Sequence, residues 1–125
     1  MNDRTLRVTV GGDAKAALTR AAEAMKALQR GESPDPHFEV GFADIGQMFA
    51  VFTPKRWELL AALREAGPIS ISGLAKLLKR DYKNVHGDVA ALTEWMAVEK
   101  DEDGLVFAPY ADISVDVHLP DRRVA

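Results

Sequence analysis

Residues 68–95 read PISISGLAKLLKRDYKNVHGDVAALTEW, with two apolar spacings separated by a polar break. Leu74, Ala75, Leu77 and Leu78 recur at helical spacing, and Val85, Val89 and Leu92 follow three or four residues apart. Each half therefore predicts a helix that buries one face. Between the halves, KRDYKN (79–84) sets Lys79, Arg80 and Lys83 beside one carboxylate and one tyrosine. This segment is too polar for a core and too short for a domain linker. It suits a turn followed by the exposed start of a second helix, so the stretch reads as a helix-turn-helix.

Upstream, Thr53-Pro54 is a helix start, with Thr as N-cap and Pro at the first helical position. The helix runs through Ala66 with Trp57, Leu60, Ala61 and Leu63 inward, and Gly67-Pro68 ends it. Downstream, VEKDEDGLVF (98–107) holds two short extended runs around Asp103-Gly104, the commonest short hairpin signal, and reads as a wing. After Pro109, DISVDVHL (112–119) alternates Ile113, Val115, Val117 and Leu119 with polar residues, the period of a half-buried strand.

The amino-terminal third repeats that period. RTLRVTV (4–10) alternates Leu6, Val8 and Val10, and HFEVGF (37–42) alternates Phe38, Val40 and Phe42. Gly11-Gly12 closes the first strand, and Asp13 is placed to cap a helix to about Gln29 with Leu18, Ala21, Met25 and Leu28 on one stripe. GESPDPH (31–37) is a loop. Residues 44–52 are apolar on more than one face, which favours a short helix over a strand. The terminal alternating strands can pair within or between chains. The expected class is α+β: a strand-helix-strand segment with a short helix over 1–52, serving dimerisation, then a winged helix-turn-helix domain over 53–119 and a frayed tail over 120–125.

Length and composition suit one globular domain: 125 residues, 47% hydrophobic, six prolines. The chain has no cysteine, and His37, His86 and His118 are too scattered to suggest a metal motif, so no metal or cofactor is expected. No apolar run approaches the roughly 18 residues of a membrane span, and MNDRTLRVTV lacks the apolar block of a secretory signal. The expectation is a cytoplasmic protein without a membrane partner. Net charge is −3, but it is unevenly spread. Residues 54–100 carry eight Lys/Arg against six Asp/Glu, whereas 101–125 carry two against six. Lys76, Lys79, Arg80 and Lys83 concentrate the positive charge in eight residues, a local patch on an acidic chain.

Residues 53–119 resemble the winged helix-turn-helix domains of small prokaryotic MarR-like transcriptional regulators. The matching text is TPKRWELLAALREAGPISISGLAKLL, RDYKNVHGDVAAL and VEKDEDG, followed by PY and the alternating strand, and RDYKNVH is its most specific piece. The resemblance implies a homodimer that binds operator DNA; some such relatives look like antitoxins of toxin–antitoxin pairs. Three positions depart from the pattern. Gly73 stands where an acid would complete a capping box with Ser70, and Lys79 stands where the turn often has glycine. Gly87 sits inside the second helix, at about 1 kcal/mol against alanine, and removes a phosphate contact.

In such a domain the first turns of the second helix enter the major groove. Tyr82, Lys83, Asn84 and His86 are therefore the base-contact candidates: Lys83 toward guanine O6/N7, Asn84 toward adenine N6/N7, Tyr82 or His86 toward a base edge or phosphate. Ser70, Ser72, Lys76, Lys79 and Arg80 are the phosphate candidates. Asp81 reads as a helix cap and Asp88 as an internal ion-pair partner or an exposed residue. Asp101, Glu102 and Asp103 at the wing tip would repel phosphates, so recognition should rest on the helix. Trp57 and Trp95 read as core or interface aromatics rather than a ligand platform.

Catalysis is not expected. No serine sits in a nucleophile elbow, and Gly11-Gly12 lacks the lysine or third glycine of a phosphate loop. The leading expectation is a dimeric repressor. Its competitor is an antitoxin-like module whose acidic tail and amino-terminal segment hold a basic, toxin-like protein.

Overall fold

Strands from both ends of the chain meet in one sheet. A computed structural model describes residues 4–11, 14–32 and 37–119. The expected cap at Asp13, the loop at 33–36 and the tail at 120–125 lie outside them. The element order is β1 (Thr5–Val10), α1 (Ala14–Gln29), β2 (His37–Phe42), α2 (Ile45–Val51), α3 (Pro54–Ala66), α4 (Ile71–Leu78), α5 (Tyr82–Glu94), β3 (Glu99–Lys100), β4 (Val106–Phe107) and β5 (Asp112–Val117). The class is α+β.

β1 is central in the order β2-β1-β5 and runs parallel to both neighbours. Register partners in parallel strands share a face, so Leu6, Phe38 and Ile113 form one rung, Val8, Val40 and Val115 the next, and Val10, Phe42 and Val117 the third. The alternation read in the sequence is thus one apolar sheet face. Leu6, Val8 and Val10 are fully buried on it, whereas Val115 and Val117, on the open edge, remain partly exposed. Gly11 follows β1 with φ 69°, and a Cβ there would stand 2.5 Å from the His118 carbonyl oxygen. Packing of β1 against the end of β5 accounts for that glycine.

The parallel β1–β2 pair makes α1 its crossover. Arg20 Nη2 donates to Glu39 Oε1 at 2.7 Å, and among residues 18–29 of the helix Ala24 and Ala27 are the half-buried ones. The stripe of large apolar residues is not the seated face. Leu18, Met25 and Leu28 are 72%, 63% and 60% exposed.

Four rings join the sheet to the helices. Trp95 stacks on Phe42 at 4.6 Å between centroids, Phe42 meets Phe52 edge-on at 6.1 Å, and Phe52 stacks on Trp57 at 5.1 Å. Both tryptophans pack against the core. Asp44 caps α2 by accepting from the Gln47 N–H, and Thr53 caps α3 by accepting from the Arg56 N–H. In α3 the buried residues are Leu59, Leu60 and Leu63; Ala61, expected inward, is exposed, because the neighbouring surface spans the 59–60–63 side of the helix.

β3 and β4 form a two-stranded antiparallel hairpin, widened by a bridge between Ile69 and Val106. Its turn is longer than two residues. The Asp101 carboxylate accepts from the N–H groups of Asp103 and Leu105, both at 2.9 Å, and the Asp101 N–H donates to the Leu105 carbonyl at 2.8 Å. Beside β3 the Arg4 guanidinium lies 4.6 Å from the Phe38 ring centre and 5.0 Å from that of Tyr110, with Nη2 donating to Glu99 Oε1 at 3.3 Å. Burial raises the Tyr110 hydroxyl above the ordinary 10.0, and the Arg4 cation opposes part of that rise.

No helix among the described residues is long and apolar enough to cross a membrane.

Candidate nucleic-acid interface

The α4–α5 pair begins at Ser70, whose Oγ accepts from the Gly73 N–H at 3.0 Å. The capping-box acid missing at residue 73 has a steric reason. A Cβ at Gly73 would lie 3.0 Å from Ile69 Cγ1 and 3.1 Å from Ser70 Oγ. Leu74 and Ala75 are buried, but Leu77, expected inward, is 54% exposed because the helix turns only its 74–75 side to α5.

α4 ends on Lys79 in the left-handed region, φ 55° and ψ 44°. The Arg80 N–H then donates back to the Ala75 carbonyl at 3.0 Å, which reverses the chain into α5. Lysine thus occupies a conformation that glycine adopts without strain. Asp81 holds the N-cap position of α5 with an extended backbone, but its side chain makes no cap hydrogen bond. The cap expected there is a backbone position only.

α5 divides into two sides. Val85, Val89 and Leu92 are buried at 0–3% exposure. Beside them Asp88 accepts from Arg56 Nε at 3.0 Å and from Arg80 Nη2 at 2.7 Å, and all three side chains are less than one-fifth exposed. Arg56 Nη1 also donates to the Val51 carbonyl at 2.7 Å. One carboxylate therefore fastens α5 to the end of α2, the first turn of α3 and the turn after α4. Asp88 is the internal ion-pair partner, one of its two expected roles. Arg80, expected to hold phosphate, spends Nη2 on Asp88 and has its buried Nη1 unpaired.

The outer side carries Tyr82, Lys83, Asn84, His86 and Gly87, all exposed. The Tyr82 and His86 rings lie 5.9 Å apart at 41°, one turn from each other. Ser70, Ser72, Lys76 and Lys79 are also exposed, Ser70 with its oxygen engaged as a cap. Among the described residues, Lys76, Lys79 and Lys83 stand in no ion pair, so their charge is available to an external anion. In the hairpin turn Asp101 is committed to backbone hydrogen bonds, while Glu102 and Asp103 are exposed.

The sequence reading did not single out Arg56. Its signal was a cation in the first turn of a helix that has no acid there, a position the helix dipole disfavours unless a partner holds the charge. Its partner is 32 residues away. A concavity of about 410 Å³ lies beyond the carboxyl ends of β1 and β5 and is lined mainly by Val10, Ile45, Val117 and Leu119. Its lining offers no cluster of cations for a phosphate.

The family model HVO_A0114 matches residues 51–115, a span that runs from the end of α2 into β5. No curated protein and no solved structure matches the chain.

Proposed function

The chain belongs to the HVO_A0114 family, and from the geometry of the segment that carries the match we propose that residues 53–119 are a winged helix-turn-helix that reads double-stranded DNA. α5 enters the major groove, and the hairpin β3–β4 is the wing. The observation that carries this reading is the division of α5. Its inner polar side is pinned through Asp88, while its outer side presents Tyr82, Lys83, Asn84 and His86, and the preceding helix and turn add the unpaired Lys76 and Lys79. A rigidly held helix with a polar, cationic outer face is what base-edge recognition needs.

Lys83 and Asn84 are the base readers, with Tyr82 and His86 beside them. Lys76, Lys79 and the hydroxyl of Ser72 hold phosphates. Arg80 acts as a positioning residue through Asp88. The function is a sequence-specific transcriptional regulator, a binding protein rather than an enzyme. One short helix supplies a few contacts of about 1–3 kcal/mol each, so a homodimer reading two half-sites is the working assembly.

A mobility-shift titration against the DNA upstream of the protein's own gene, with a scrambled duplex as competitor, tests the reading. Specific binding should survive the competitor in the wild type and fall by roughly tenfold or more in Lys83→Ala and in Asn84→Ala. Binding equal to that of the scrambled duplex would remove the regulator reading for the protein alone.

A second reading has its own observation. The exposed Leu18, Met25 and Leu28 on α1 favour a protein partner of the antitoxin–toxin kind, with DNA binding secondary. Under that reading Lys83→Ala leaves the main activity untouched, and co-purification identifies the partner.

A further inference from the structure

An interior helix glycine is less favourable than any residue except proline, so each one needs a reason. Most described glycines have one inside the protein. Gly11, Gly31, Gly67 and Gly104 have φ between 69° and 81°. Gly41, Gly46 and Gly73 have helical or extended backbones, but a Cβ would come within 3.0–3.4 Å of Thr9, Asp44 or Ile69. Gly87 has neither reason. It lies in the middle of α5 without a positive φ, and a Cβ built on it meets nothing within 4 Å.

The protein therefore forgoes helix stability at Gly87 with no return from its own packing. The position is exposed, one turn after Lys83 and next to His86, and Ala90, a turn further on, is short and exposed as well. Longer side chains frame this low point: Tyr82 and His86 as a ring pair, Lys83 as a cation. A missing Cβ matters only to something that comes close to the helix backbone from outside.

We infer that Gly87 is the point of closest approach between α5 and double-stranded DNA, the place where base-pair edges press against the helix backbone and a side chain would hold them off. The inference rests on the DNA reading above. It makes Gly87 a specificity-determining residue through the space it leaves, and it turns the apparent loss of a phosphate contact into a condition for close docking. The exposed, unpaired cations Lys76 on α4, Lys79 at its end and Lys83 on α5 favour a polyanion over a protein as the approaching surface.

The test uses the full chain and a duplex of about 20 base pairs selected by the wild-type protein from a randomised pool. Thermal melting and duplex affinity are measured for the wild type, Gly87→Ala and Gly87→Leu. Gly87→Ala should melt about 4 °C higher, because the helix gains propensity and no atom is in the way. Its affinity for the selected duplex should nevertheless fall by roughly tenfold, and that of Gly87→Leu further. A more stable Gly87→Ala with unchanged affinity overturns the inference and leaves the DNA reading standing. A Gly87→Ala that melts lower than wild type also overturns it, since the glycine then serves the fold. Failure of the wild type itself to select any sequence overturns the DNA reading and the inference with it, and is seen before any variant is made.

Discussion

Arg80 Nη2 lies 2.7 Å from Asp88 Oδ2, so a residue of the turn reaches forward two helical turns to the inner side of the helix it introduces. The Arg56 guanidinium closes the same carboxylate from α3 at 3.0 Å. Removing the shared anion leaves two largely buried cations facing each other. Asp88→Ala should destabilise the protein by roughly 2 kcal/mol, below the full value for a buried pair because each side chain keeps some solvent contact. Urea unfolding measures this, and a loss under about 0.5 kcal/mol would place Asp88 with ordinary surface residues.

Two helices end on non-glycine residues in the left-handed region, α4 at Lys79 (φ 55°) and α5 just before Met96 (φ 66°). Glycine at either position relieves the strain, partly offset by the freedom it adds to the unfolded chain. Lys79→Gly and Met96→Gly should each raise stability by about 0.5–1 kcal/mol in urea titrations. Only Lys79→Gly removes a cation from the α5 side of the molecule. It alone should flatten the log affinity–log salt slope for DNA, by about 0.9 per lost phosphate contact.

Burial holds the Tyr110 hydroxyl above 10.0, so the folded state resists its ionisation. An acid whose pKa is higher folded than unfolded binds more protons in the folded state over the interval between the two values. Stability from this group is therefore intact below pH 10.0 and is lost as pH rises from there through the folded value. Tyr110→Phe keeps the ring beside Arg4 and Phe38 and deletes the titration. Melting temperature against pH should fall less steeply for the variant above pH 10 than for the wild type, and parallel curves would refute the assignment.

The α1 stripe is exposed on the monomer, so its polar replacement has little to disturb within the fold. A triple Leu18→Ser, Met25→Ser, Leu28→Ser variant should unfold within about 1 kcal/mol of wild type after allowance for the lower helix propensity of serine. Light scattering on both proteins shows whether the stripe holds an assembly together. A large loss of monomer stability would mean that the stripe is packed.

What the sequence made legible was local. Thr53 and Ser70 cap their helices through the N–H three residues on, and Val85, Val89 and Leu92 declare their buried side through spacing alone. The partners of the alternating strands were not legible, because Leu6–Val10, Phe38–Phe42 and Ile113–Val117 share one pattern and nothing in it distinguishes parallel from antiparallel pairing. The α1 stripe pointed to an inward face, yet Leu18, Met25 and Leu28 stand exposed while Arg20 pairs with Glu39 on the polar side of the sheet. At the candidate interface the exposed residues of α5 were legible from charge and spacing. The commitment of Arg80 to Asp88 was not, because it appears only once the chain reversal after α4 brings Arg80 against the inner side of α5.

Parallel pairing of Thr5 with Asp112 and of Val10 with Val117 also sets an order of events as the chain is made. β1 leaves the ribosome before β2 and meets it through a single crossover, but its other edge stays open until more than a hundred further residues have been added. In that interval α3, α4 and α5 can assemble from near neighbours, since contacts close in sequence form first. The central strand is thus made before both of its neighbours and is enclosed only when β5 arrives. The half-finished sheet edge is the surface that must be kept from pairing with another nascent chain.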